Sequence, residues 1–226
     1  MAESRERQSF RPAEGKRLDA FVDSAFAFAV SLLIIAGGEP LASFDDLMRA
    51  LMRIPAFLAG FALIVLFWLA HRTWSALEPR RDARATLLSL AIVFMVLIFV
   101  FPLRLLIESA AHFISRGALP GEGLIQNLTQ LGWTYFIYGL GFSVLSVLFA
   151  LLFQSAAGTV LPERRTSARE WSATWWLAAA AGVLSGLIAL TPVLAAAPYA
   201  PGFIYWLIPL GIGLMGRFGR SRAKPT

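Results

Sequence analysis

The chain has no cysteine, which excludes disulfides, thiolate metal ligation and a thiol nucleophile. Its two histidines, His71 and His112, form neither a His-x-x-x-His nor a His-Glu pair, so a zinc hydrolase site has no basis. No Gly-x-Ser-x-Gly elbow and no phosphate-cradling glycine loop occurs. Strand-type alternation is missing, which argues against a barrel. Charged residues make up only 15% of the 226 residues, against about a quarter in a soluble domain. These absences argue against an enzyme; no cofactor and no resident metal is expected.

What is abundant is apolar surface: 58% of residues are hydrophobic, including 18 Phe and 7 Trp. Crossing a hydrocarbon core takes about 20 mostly apolar residues. Stretches at about 18–37, 54–70, 85–107, 128–153, 173–197 and 201–215 meet or approach that length. The fold class expected is therefore an all-α polytopic membrane protein with six transmembrane helices. It is flanked by a basic arm at 1–17 and a basic tail at 218–226. The sixth stretch is the weakest, since Pro198, Pro201 and Pro209 interrupt it and an interior proline removes a helix donor.

The net charge of +6 has a topological explanation. Sixteen Lys and Arg fall on one side of the six stretches: in the N-terminal arm, the second and fourth connections and the tail. Arg49, Arg53, Arg104 and Arg116 are the four on the other side. Positive charge is retained in the cytoplasm, so both termini are expected there, and no nucleic acid partner is implied. Asp19 and Asp23 at the start of the first stretch suit a secretory signal poorly.

Local patterns add detail. Between the first two stretches, Leu41, Phe44, Leu47, Met48 and Leu51 share one helical face, with Asp45, Asp46 and Arg49 opposite. This predicts a short amphipathic helix at the outer surface, begun by Ser43. Residues 114–127 form a glycine-rich outer loop. Gly182 and Gly186 allow close helix approach. The run Tyr138-Gly139-Leu140-Gly141-Phe142 lies inside an apolar helix and is read as packing.

The first helix carries the most informative face. Phe28, Leu32 and Ile35 fall in one line, with Ser24 and Ser31 beside it. Such a stripe serves either as packing surface or as a hydrophobic constriction lining a pore; spacing alone favours packing. Asp23 is a charge within a span, costly unless it reaches water or a partner.

The segment from Arg17 to Phe28 resembles the signature of the lysosomal potassium channel family known as transmembrane protein 175, with its prokaryotic homologues. Arg17, Phe21 and Asp23 keep that signature's spacing, while Val22 stands where the family has Ser. Phe67-Trp68 with His71 looks like the family's Phe-Trp-x-x-His element. Asp82 followed by Phe101-Pro102 looks like its Asp-to-Phe-x-Pro stretch, with Ser89 where Asn is usual. The resemblance covers about 16–105 and implies a potassium-selective, proton-permeable cation channel in a bacterial cytoplasmic membrane. It further implies a homotetramer whose first helices line the pore. The constriction would fall on Phe28, Leu32 and Ile35, with Ser24 and Ser31 as adjacent polar positions. Arg17, Asp23, His71 and Asp82 would form a structural polar network. Phe28 is larger than the family's usual Ile, so a non-conducting scaffold or sensor on the same fold is the alternative.

Overall fold

A computed structural model of the chain describes residues 2–35, 42–78, 81–121 and 125–212. Every regular element among them is helical: α1 (Ala2–Ile35), α2 (Phe44–Met52), α3 (Ile54–Leu77), α4 (Ala83–Ile114), α5 (Leu128–Thr159), α6 (Pro162–Ala189), α7 (Val193–Ala196) and α8 (Ala200–Phe203). Among the described residues, five helices contain segments long and apolar enough to cross a membrane: Gly15–Ile35, Ile54–Leu77, Ala83–Val100, Leu128–Thr159 and Pro162–Ala189. A shorter apolar run covers Ala200–Ile212. The basic tail at 218–226, the end of the sixth stretch beyond 212 and the last residues of the first stretch lie outside the described residues.

The helix ends follow local chemistry. Ser43 and Asp46 form a reciprocal capping box at the start of α2, and Asp46 also pairs with Arg49. The Ser43 hydroxyl, then the Arg49 guanidinium, hold the Asp46 carboxyl down at about 2. The cap is therefore intact at any pH above the ordinary carboxylate range, and is lost only as pH falls through that lowered value. Asp82 accepts from the Ala85 amide at 2.7 Å to start α4, and Asn127 accepts from the Gln130 amide at 2.9 Å to start α5. Pro162 opens α6, where its missing N–H costs nothing.

Two boundaries differ from the hydropathy reading. The basic arm is not separate from the first span, because α1 is helical from Ala2. The fifth span was expected at 173–197, but α6 begins at Pro162 and ends at Ala189. Glu163, Arg164, Arg165 and Arg169 are polar yet good helix formers, so hydropathy starts the helix late. Pro192 ends it, since the residue before a proline is pushed out of the α region.

The chain divides into two compact units, residues 1–125 and 126–226. In the first, α1, α3 and α4 pack on one another. α1 buries Val22, Phe26, Ala29 and Leu33, which recur on one face at helical spacing. Leu33 closes over Gly60, where an added Cβ would lie 3.1 Å from it.

In the second unit α5 and α6 run antiparallel, because their contacts pair rising with falling numbers. Gly139 meets Gly182 and Gly186, Ser143 donates to the Ala179 carbonyl at 2.9 Å, and Ser172 donates to that of Ala150 at 3.0 Å. Phe149 stacks on Trp175 and Phe153 on Trp171. A Cβ on Gly139 would sit 2.5 Å from the Gly182 carbonyl oxygen, so the backbones touch where glycine alone fits. The broken final segment is tied back by Ser185, which donates to the Pro201 carbonyl at 2.8 Å, and by the Phe142–Tyr205 edge contact.

Candidate functional site

Opposite the buried face of α1 lies a face that the described residues leave uncovered. Phe21, Phe28 and Ile35 are 53%, 56% and 69% exposed, too much for side chains packed inside a bundle. Ser24 and Ser31 are exposed between them, and Leu32 is half-buried at the edge. Phe21, Ser24, Phe28, Ser31 and Ile35 alternate three and four residues apart, the seam by which a helix packs against others near its axis. Among the described residues of the first unit, nothing covers this stripe.

The two serines have a defined polarity. Ser24 donates its proton to the Ala20 carbonyl at 2.8 Å and Ser31 to that of Ala27 at 3.2 Å. With each proton committed to its own helix, the hydroxyl oxygens keep lone pairs for an outside partner. Such oxygens can accept from water or coordinate a cation.

α1 is held at both ends by charge. At the N-terminal end of its span, Asp19 pairs with Arg81 at 3.0 Å and accepts from the Ser75 hydroxyl at 2.8 Å. Arg81 also donates to Ser75 and to the Glu78 carbonyl, and its guanidinium lies 4.5 Å over the Trp74 ring. One turn further, Asp23 accepts from the Trp68 indole N–H at 2.8 Å, with Arg72 over that same ring. At the other end, Arg104 donates to the Leu33 and Ile34 carbonyls at 3.1 and 2.7 Å. These carbonyls belong to the last described turn of α1, and a cation suits the C-terminal side of a helix, where the dipole is negative. Glu108 pairs with Arg104 at 2.8 Å.

The four residues expected in one polar network make their described hydrogen bonds with other partners, while the Asp23 carboxylate acts electrostatically on His71. Asp23 binds Trp68. His71 is buried against the Ser89 hydroxyl, 3.0 Å from its Nε2, with the Trp74 ring alongside. Asp82 caps α4, and Arg17 is exposed on α1. Ser89, a departure from the resembled pattern, still supplies a polar partner to His71. Val22 does not, and is fully buried.

Sequence reasoning assigned Arg81 and Arg104 only to topology and gave Asp19, Ser75 and Glu108 no structural part. The one signal available was Asp19 four residues before Asp23, placing both carboxylates on one side of α1.

Comparison with known proteins follows the same segment. Residues 17–102 match the family model described as endosomal/lysosomal potassium channel TMEM175. A protein of Marivirga tractuosa named "Potassium channel" is 29% identical over 160 residues, covering 66% of this chain. The chain spans 62% of the length of that relative. A crystal structure of a variant of the potassium channel MtTMEM175, in complex with a nanobody–MBP fusion, superposes with a TM-score of 0.78 at 22% identity. It covers 91% of this chain and 93% of that one. A lysosomal potassium-selective channel TMEM175 homologue from Chamaesiphon minutus gives 0.62 at 19% identity, covering 90% and 98%. At these identities the two structures establish a shared fold. The resemblance read from Arg17, Phe21 and Asp23 thus stands, and the relatives are ion channels rather than enzymes.

Proposed function

We propose that this chain, which carries the endosomal/lysosomal potassium channel family model over residues 17–102, assembles as a homotetramer that conducts potassium across a bacterial cytoplasmic membrane. The observation that carries the reading is the uncovered α1 stripe of Phe21, Ser24, Phe28, Ser31 and Ile35. Four copies arranged about an axis would bury that stripe and turn it toward a common pathway. Phe28, Leu32 and Ile35 then form the constriction, an apolar ring that gates by dewetting. The Ser24 and Ser31 oxygens flank it and offer a cation partial replacement for water. Six crossings with both termini in the cytoplasm accord with the sixteen-to-four division of basic residues. Proton passage belongs to the same reading.

Phe28 favours a second reading. Its ring is larger than the Ile of the resembled pattern, and four such rings on one axis can shut the pathway, leaving a scaffold or sensor. Potassium flux from liposomes containing purified wild type and Phe28→Ala separates the two. A conducting channel predicts wild-type flux above protein-free liposomes. It also predicts faster, less selective flux in Phe28→Ala, by about tenfold for each 1.4 kcal/mol of barrier removed. Flux only in Phe28→Ala makes Phe28 a closed gate, and silence from both overturns the channel.

A further inference from the structure

α2 has one face that the described residues leave bare. Phe44, Leu47 and Leu51 are 71%, 38% and 47% exposed, and Met52 beside them is 50% exposed. Isolated apolar residues on a surface need no explanation, but these sit on one side of a single short helix. The opposite side carries Asp45, Asp46 and Arg49.

Covalent geometry says where this face lies. Arg53 alone separates α2 from α3. It stays in the helical region, with its amide bonded back to the Ala50 carbonyl and its own carbonyl accepting from Phe57. α2 therefore ends within one residue of a helix long and apolar enough to cross a membrane. That helix opens with its own exposed apolar line, Ile54, Leu58 and Phe61, spaced along one face. The bare face of α2 is continuous with that surface through the chain itself.

The charge on α2 narrows the partner further. Asp45 and Asp46 balance Arg49 and the junction residue Arg53, and Asp46 is already paired with Arg49. Attraction to anionic headgroups takes clusters of Lys and Arg, which this helix does not carry. The capping box meanwhile fixes the helix start without outside help.

We infer that α2 is an interfacial anchor: it lies along the bilayer surface, with Phe44, Leu47 and Leu51 inserted among the upper acyl chains. Lipid apolarity holds it there, at a depth of about 5–10 Å, and headgroup charge does not. The helix thereby fixes the level at which α3 enters the membrane. This inference needs only that α3 crosses a bilayer, so it stands or falls apart from ion conduction.

The absence of native cysteine makes the test direct. Single-cysteine variants Phe44→Cys, Leu47→Cys and Leu51→Cys, with Asp45→Cys and Arg49→Cys for contrast, are labelled with an environment-sensitive fluorophore. They are reconstituted full-length in phosphatidylcholine liposomes; a variant that fails to fold is replaced by Met52→Cys. Labels at 44, 47 and 51 should be quenched by nitroxide lipids, more by a nitroxide near the headgroup than by one at mid-chain, and should resist aqueous iodide. Labels at 45 and 49 should show the reverse, and adding phosphatidylglycerol should change neither pattern. Iodide quenching equal at all five sites would overturn the inference by placing the face in water. Shielding from both quenchers at 44, 47 and 51 would overturn it in favour of another copy of the chain. A pattern that appears only with phosphatidylglycerol would overturn the apolar mode of binding.

Discussion

The two compact units are joined inside by different chemistry. In residues 1–125 the helices meet through charge and directed polar bonds: Asp19 with Arg81, Asp23 with Trp68, His71 with Ser89, and Arg104 with Glu108 and the end of α1. In residues 126–226, α5 and α6 meet through glycine backbones, serine hydroxyls on carbonyls and stacked rings. Lipid tails are as apolar as leucine, so burial alone does not draw membrane helices together. Close van der Waals fit is the inexpensive solution, and the second unit uses it. Charged groups within a membrane protein are costly and are kept where they act. The first unit accepts that cost around one helix, α1, whose other face is bare. Polar fixation of a helix on one side and an uncovered stripe on the other are what the proposed pathway-lining role of α1 requires.

This contrast predicts unequal responses to substitution. The largest effect is expected at Arg104, whose removal leaves Glu108 buried and uncompensated. Arg104→Met should destabilise the protein by about 3–5 kcal/mol, read by thermal unfolding in detergent, and adding Glu108→Leu should restore most of the loss. A loss of under about 1 kcal/mol in Arg104→Met would mean that water already reaches this pair, in the range of exposed ion pairs. In the second unit, Gly139→Ala forces a Cβ against the Gly182 carbonyl and should cost about 1–3 kcal/mol. It should leave potassium selectivity unchanged where the protein still folds; altered selectivity would show that the second unit also shapes the pathway. Ser89→Ala is the smallest of the three. It strips His71 of its described partner and should cost about 1 kcal/mol. Ser89→Asn, which restores a polar side chain, should recover it, and no difference between the two would mean that the His71 contact is idle.

Much of this was legible in the sequence, and the limits have physical causes. Lipid imposes long apolar helices, so α1, α3, α4 and α5 are visible as hydropathy. The α2 cap was visible because Ser43, Asp45 and Asp46 act within one turn of chain. The start of α6 was hidden because helix propensity and hydropathy disagree over 162–172, and its end because Pro192 falls inside an apolar run. The α1 stripe could be drawn from spacing, but whether it was covered depended on what the rest of the chain packs against. The polar pairs were least legible. Asp19 and Arg81 lie 62 residues apart, and Arg104 reaches backbone carbonyls that no side-chain pattern reveals. A basic residue beside a span reads as topology until its partner is placed.

The central claim is that the bare face of α1 borders the ion path and its opposite face does not. Single cysteines along α1, placed in this cysteine-free chain and reconstituted in potassium-loaded liposomes, test it through flux before and after a charged thiol reagent. The account predicts that modification changes flux at Ser24→Cys, Phe28→Cys, Ser31→Cys and Ile35→Cys, and leaves it unchanged at Val22→Cys, Phe26→Cys and Ala29→Cys. Conducting variants in which the second set responds, or in which neither does, would contradict it and move the ion path away from this face.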